Sequence, residues 1–328
     1  MSAEDSVYTE GRIQRHLAEN PDTAELGVRA ALHAGAVYLS GDVASEQRRR
    51  RVVHAVQVLL PDLQVHDELQ VTCADPPKDR GGAAVIRIAA VGDVHLGPDA
   101  CGHLRPALEK LPDVADVLLL AGDLTRHGSV EEARCAVAEF RDLGLPVVAV
   151  LGNHDYHCDQ QDAVAGMLET AGIRVLEGDA VLLDVAGQRL AVAGVKGFGG
   201  GFAGRCGSDF GEPQMKAFVH HTKQTAAWLG DALDAVDGDV RVALTHYSPV
   251  ADTLAGEPLE IYPFLGSYLL AEAIDGRRVD LAVHGHAHAG TEKGVTAGGT
   301  RVRNVAQPVL RRAYAVYCLG VEDDGGVD

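Results

Sequence analysis

The chain has no apolar run long enough to cross a bilayer. Its strongest stretches, VADVLLLAG and LPVVAVLG, fall far short of the ~20 residues a spanning helix needs, so they read as buried strands. It also has no C-x-x-C pair. The six cysteines, Cys73, Cys101, Cys135, Cys158, Cys206 and Cys318, are scattered, which argues against a disulfide framework or a thiolate zinc site and fits a reducing cytosol. The opening MSAEDSVYTE lacks the basic and apolar regions of a signal peptide, so the expected location is cytoplasmic. Positive charge is in short supply: 29 Lys and Arg stand against 47 Asp and Glu, a formal charge of −18. That field does not favour long polyanions such as duplex DNA, although bound cations would reverse its sign locally. There is no convincing internal repeat or low-complexity tract. What is present is ordinary globular composition, 46% hydrophobic and 23% charged, over 328 residues. Such a length allows one large domain or two unequal ones.

The division falls at a linker over 74–83. The stretch CADPPKDRGG has two prolines, two glycines and four charges, with almost nothing to bury. Before it, positions 6–19 carry a helical pattern that puts Val7, Ile13 and Leu17 on one side. LGVRAALHAG and AVYLSGDV read as a hairpin, 44–60 as a second helix, and LQVHDELQVT as a strand. In the second helix Val52, Val53, Val56 and Leu59 face inward and Arg48 to Arg51 outward. This α-β-β-α-β order, the phrase AVYLSGDVASEQRRRRVVHAV and the closing HDELQVT resemble a BON domain over 1–73. The resemblance implies a tethering or sensing module with lipid or macromolecule contact, and no catalysis. The arginine run is either a solvated helix face or a patch for anionic surfaces.

After the linker, short apolar runs alternate with helical segments: AVIRIAAVG, DVLLLAG, LPVVAVLG, RLAVAGV, VRVALTH and VDLAVHGH. That texture predicts an α/β domain over 84–328 whose central strands are buried on both faces. Five of the runs lead into polar motifs. GDVHLG supplies Asp93 and His95; GDLTRHG supplies Asp123; GNHD supplies Asn153, His154 and Asp155; THYSP supplies His246; GHAH supplies His286 and His288. Each set sits just past the carboxyl end of a predicted strand, the edge where α/β active sites gather. Oxygen and imidazole donors without thiolates suit Mn, Fe, Zn and similar divalent ions. A carboxylate such as Asp123 can bridge two ions, and two-metal sites clamp the attacking and leaving oxygens of a phosphoryl displacement. Any one motif alone is weak; five in order at five strand ends point to a metal site.

This ordered set resembles the calcineurin-like metallophosphoesterases over roughly 84–318. The resemblance implies a two-sheet β-sandwich flanked by helices. It implies Asp93, His95 and His288 as ligands of a first divalent ion, Asp123 as the bridge, and Asn153, His246 and His286 as ligands of a second. His154 is similar to the family histidine that stabilises the phosphate or protonates the leaving group. Asp155 is expected to orient it by accepting its second ring N–H. The implied reaction is attack on a small phosphodiester or phosphomonoester by a metal-bridging hydroxide. Alternatives are a nuclease of the same superfamily and a non-catalytic sensor of a phosphoryl ligand, with the BON-like module as tether. GVKGFGGGFAGRCG and THYSPVADTLAGEPLEIYPFLGS resemble the Icc-like, cyclic-nucleotide-phosphodiesterase-like branch, which places a diester slightly ahead. The glycine-rich stretch lacks P-loop spacing. Lys196 and Arg205 in it either cap a phosphate or belong to a surface loop. Arg126 and His127 either touch substrate or begin the next helix. His284 reads as structural, and Asn304 as support for the site.

Overall fold

The computed structural model describes residues 28–33, 36–43, 46–61, 63–71 and 85–320, together with positions 9, 12, 13, 16 and 17. The chain divides into two compact units, Met1–Arg80 and Gly81–Asp328. The predicted linker and part of the predicted first helix lie outside the described residues.

In the smaller unit, β1 (Arg29–His33) and β2 (Ala36–Val43) form an antiparallel hairpin. Helix α1 (Glu46–Leu59) then crosses over to β3 (Gln64–Val71), which pairs parallel to β2. A parallel partner requires such a crossover. Positions 9, 12, 13, 16 and 17 are helical. Ile13 and Leu17, one turn apart, pack with Val37, Leu39, Val52, Val56 and Leu69. Arg50 and Arg51 are exposed, and Arg49 pairs with Asp67 at 2.8 Å.

The larger unit has four layers. One sheet runs β16-β4-β5-β6-β7, from β4 (Ile86–Val91), β5 (Val117–Ala121), β6 (Val147–Val150), β7 (Ile173–Val175) and β16 (Ala315–Leu319). The other runs β14-β15-β13-β12-β9-β8. Its strands are β8 (Asp179–Val185), β9 (Gln188–Val195), β12 (Val240–Thr245), β13 (Leu281–His284), β14 (Lys293–Val295) and β15 (Arg301–Asn304). A two-stranded ribbon, β10 (Gly201–Phe202) and β11 (Arg205–Cys206), stands apart. The strands that end at the motifs pair parallel within each sheet. Alternation along β4 turns Ile88 and Ala90 toward the other sheet, where they meet Val192, Val242 and Val283. Ala89 faces outward against helices α2 (Val130–Phe140) and α3 (Gln161–Thr170). The second sheet is covered by α4 (Pro213–Ala235) and α5 (Tyr268–Asp275) through Leu229, Leu233, Leu270 and Ile274. Double coverage is why these strands read as unbroken apolar runs. Among the described residues, no helix is long and apolar enough to cross a membrane.

One expectation is corrected. Cys101 and Cys135 are bonded, with Cα atoms 5.2 Å apart, so the scattered cysteines do include a disulfide. The loop after Leu96 folds back on α2: Gly102 N–H donates to the Glu139 carboxylate, and Arg105 donates to the carbonyls of Glu139 and Arg141. A separation of 34 residues in sequence carries no hint of that approach. The cysteine argument for a reducing compartment falls with it.

Candidate metal centre

All the predicted ligands emerge at the carboxyl ends of parallel strands. Asp93 and His95 follow β4, Asp123 follows β5 and Asn153 follows β6; His246 follows β12, and His286 and His288 follow β13. Two groups of donor atoms form there, each within 4.8 Å: Asp93, His95, Asp123 and His288, and Asp123, His246 and His286. Asn153 joins the second group, its Oδ1 lying 2.9 Å from His246 Nε2. Asp123 belongs to both.

Backbone strain accompanies this convergence. Asp93, His95, Asp123 and His286 have φ of 56°, 42°, 50° and 69°. The left-handed region costs a side-chain-bearing residue on the order of 1 kcal/mol, and such residues cluster at functional sites. The glycines of the motifs leave room for the turns. A Cβ at Gly152 would run into Asp123 Oδ1, and one at Gly285 into Asp93 Oδ2.

Hydrogen bonds decide which ring nitrogens face the centre. His246 Nδ1 donates to the Ala121 carbonyl at 2.9 Å. A neutral imidazole has one N–H, so Nε2 and Asn153 Oδ1 then face each other as two acceptors. His286 Nε2 donates to the Phe264 carbonyl at 3.1 Å, leaving Nδ1 for the second group. His95 Nε2 and His288 Nε2 lie 3.5 Å apart, and His288 Nε2 lies 2.9 Å from Asp93 Oδ1. Asp123 Oδ2 is buried with no hydrogen-bond partner among the described residues. Burial raises the Asp123 carboxyl pKa, and burial lowers His95 to about 4 and His286 to about 3. Burial also works against the charge on Asp93, but His288, His246 and the His286 N–H together hold its pKa low. His288 is raised by its bond to Asp93. Acceptors turned toward one another around an orphaned carboxylate oxygen suit cations, and this oxygen–imidazole set fits two divalent ions sharing Asp123.

A family model for the calcineurin-like phosphoesterases matches residues 86–290, and one for the BON domain matches residues 5–73. The chain belongs to the calcineurin-like phosphoesterases. Its larger unit is thus a metal-dependent phosphoric ester hydrolase. Among solved structures, phosphopantetheinyl hydrolase from Mycobacterium tuberculosis matches with a TM-score of 0.53 and 16% identity, covering 75% of this chain and 99% of that one. A putative 5'-nucleotidase from Staphylococcus aureus matches with a TM-score of 0.47 and 16% identity, covering 75% and 56%. Among the curated proteins, none matches. At such identities the first structure shares the fold, which is the expected two-sheet sandwich flanked by helices.

Around the centre of this calcineurin-like domain, His154 begins a single 3-10 turn, His154–Tyr156. Its backbone N–H donates to Asp123 Oδ1 at 2.8 Å, and its ring lies edge-on to His95 at 4.5 Å. The expected partner of that ring is corrected. His154 Nδ1 donates to the Arg126 carbonyl at 2.8 Å, not to Asp155. Consecutive side chains in a 3-10 turn diverge by about 120°, so Asp155 points elsewhere. It accepts from Leu124 N, Thr125 N, Thr125 Oγ1 and Gly152 N, tying the loop of Asp123 to the loop of Asn153 and His154.

The remaining candidates separate. Lys196 is 8% exposed; its ammonium lies 4.9 Å over the Tyr156 ring and 5.3 Å over those of Phe198 and Tyr247. Burial lowers its pKa, against a pull upward from Glu177. Arg126 pairs its guanidinium with exposed Asp99 at 2.9 Å, and His127 Nδ1 lies 3.0 Å from Glu132 in the first turn of α2. Arg205 sits over the Tyr262 ring at 5.9 Å. Each of the three has a protein partner, and none joins the two donor groups. His284 is buried against Thr253 and Ser248, with its pKa lowered to about 4 by burial. Asn304 donates to the Ala287 carbonyl at 2.8 Å and so braces the loop carrying His286 and His288. The carbonyls of Ala121, Arg126 and Phe264 orient three histidines, and no sequence motif marks them, because every residue has a carbonyl.

Proposed function

We propose that the calcineurin-like domain hydrolyses a small phosphate ester, with a diester ahead of a monoester, using two divalent ions. Asp93, His95 and His288 would hold one, Asn153, His246 and His286 the other, and Asp123 both. The observation that carries this reading is the position of Asp123: one oxygen faces each donor group, and Oδ2 has no other partner. When bound, two such ions supply an activated water and neutralise charge on the phosphoryl group.

The protein's own residues do the rest. The Arg126 carbonyl holds His154 Nδ1–H, so Nε2 carries the exchangeable proton. Protonated, it can bond a phosphoryl oxygen and pass its proton to the leaving oxygen, a role worth ~10²–10⁴-fold in rate. Asp155 acts on the loops rather than on the ring. Lys196 brings a cation to the same rim for a phosphate oxygen. The overall charge of −18 speaks for a small substrate over a nucleic acid.

The test is hydrolysis of bis-p-nitrophenyl phosphate by the full chain, apo and with Mn²⁺. Metal-dependent turnover is expected. His154→Ala should cut kcat by about 10²-fold or more while metal content stays near two per chain. Asp123→Asn should lose metal and activity together. Wild-type turnover in His154→Ala would refute the role of that ring.

A further inference from the structure

A line of aromatic rings leaves the metal centre and ends in solvent. Tyr247 starts it, with its ring 4.4 Å from that of His286. Phe198 follows at 5.9 Å, Phe218 at a further 5.0 Å and Phe264 at 6.3 Å. Exposure rises along the line: Tyr247 is 7% exposed, Phe198 and Phe218 are half-buried, and Phe264 is 59% exposed. Met215, one turn before Phe218 on α4, adds a further 41% exposed apolar side chain.

The surface is fixed rather than floppy. Gly200 N donates to the Pro263 carbonyl at 2.7 Å and Gly201 N to the Gly266 carbonyl at 2.8 Å, so the loop after β9 is bound to the segment carrying Phe264. A Cβ at Gly199 would collide with the Pro263 carbonyl and crowd Phe218 and Phe264, so glycine permits this approach. The backbone of Phe264 is held at the centre, because its carbonyl receives His286 Nε2. Where the rings meet the centre sits Lys196, more than nine-tenths buried. Among the described residues its ammonium has one hydrogen-bond partner, the Gly197 carbonyl at 3.2 Å. An ammonium has three N–H donors, so this one keeps capacity for a ligand oxygen.

We propose that the rings of Phe198, Phe218 and Phe264 form a subsite for an aromatic group of the substrate, joined to the phosphoryl position at Lys196. The proposal rests on the phosphoesterase reading above and adds the nature of one ester arm. A planar ring can take offset or edge contacts with successive rings of the line, each favoured by ring quadrupoles. A saturated ring of the same size gains burial but not those contacts.

Calorimetry with Mn²⁺-loaded full-length protein tests this without turnover. The probes are phenylphosphonate, cyclohexylphosphonate and methylphosphonate, which cannot be hydrolysed as esters. Phenylphosphonate should bind roughly tenfold more tightly than methylphosphonate, with the cyclohexyl compound between them. In Phe264→Ala and Phe218→Leu the phenyl-to-methyl ratio should fall by about three- to tenfold. Because the methyl compound is measured on each variant, any change in the metal centre cancels in the ratio. Equal affinities for phenyl and methyl, equal affinities for phenyl and cyclohexyl, or a ratio unchanged in both variants would each overturn the subsite. Phenyl-selective binding with no metal-dependent hydrolysis of either bis-p-nitrophenyl phosphate or p-nitrophenyl phosphate would leave the subsite standing and count against the esterase reading instead.

Discussion

Asp155 gives the sharpest test of how the centre is built. Its carboxylate is fully buried and accepts from four donors, at 3.2 Å from Leu124 N, 2.8 Å from Thr125 N, 2.6 Å from Thr125 Oγ1 and 2.8 Å from Gly152 N. Burial pushes its pKa up and Asp123 adds to the push, while the donors pull it back. Three of the facing groups are backbone N–H donors, and Thr125 Oγ1, which accepts from Gly128 N, can donate to the carboxylate as the fourth. This donor-rich setting favours the charged carboxylate against the upward push of burial. Removing it in Asp155→Ala leaves four donors stranded, a loss of about 3–5 kcal/mol after the carboxylate's own desolvation is credited back. For a unit of this size that lowers Tm by roughly 6–20 °C. Asp155→Asn separates charge from shape. Its amide keeps the volume but turns an NH2 toward donors, so it should fall nearly as far as the alanine. Calorimetric unfolding at neutral pH in the presence of chelator reads this without any contribution from bound ions. An asparagine variant within about 2 °C of wild type would refute the ionised, four-donor account.

Three further outcomes follow from the same geometry. Stripping divalent ions should lower the Tm of the larger unit by on the order of 10 °C, since an ion held at a hundred times its Kd contributes about 2.7 kcal/mol, and Mn²⁺ should restore it on re-addition. A shift below about 2 °C would speak against ion binding by these residues. Gly285→Ala should weaken ion binding at Asp93 by about tenfold or more, because the new Cβ displaces Asp93 Oδ2; metal content after gel filtration reads it. Peptide mapping without reductant should recover Cys101 joined to Cys135, and reduction should cost the larger unit about 4 kcal/mol from opening that loop.

The strands that carry the motifs were legible because each is covered on both faces, so its apolar run is unbroken and its end abrupt. GDVHLG, GDLTRHG and GNHD mark the ends of β4, β5 and β6 because the chain must turn there while presenting a polar side chain. The edge strands β7, β8 and β14 were not legible: they are short or half-exposed, and their patterns blend into turns. The candidate donor side chains could be read as a set, whereas their supports could not. The family resemblance implied a carboxylate–imidazole pair of Asp155 and His154, and the 3-10 turn separates the two. The partners of Arg126 and Arg205, Asp99 and Tyr262, become neighbours only in the fold, whereas Glu132 lies five residues from His127 in sequence. Phe198 and Phe264 lie in the two stretches that carry the Icc-like resemblance and Phe218 in neither, and the fold brings the three rings into line.

The division of the donors between sheets explains why a strained centre can persist before any ion arrives. Asp93, His95, Asp123 and Asn153 hang from one sheet, and His246, His286 and His288 from the other. Contacts cross between them at the centre: His288 meets Asp93, His246 Nδ1 meets the Ala121 carbonyl, and the His286 N–H reaches both oxygens of Asp93. Backbone bonds cross nearby as well, from Gly92 N to the Val305 carbonyl and from Gln307 N to the Gly92 carbonyl. These bonds oppose the relaxation that four left-handed ligand residues and an orphaned Asp123 oxygen would otherwise favour. The apolar interior between the sheets sets their spacing to within the close tolerance of packed cores. Donor separation is therefore a property of the core, not only of the loops, and a cation entering there would meet these candidate donors already close together.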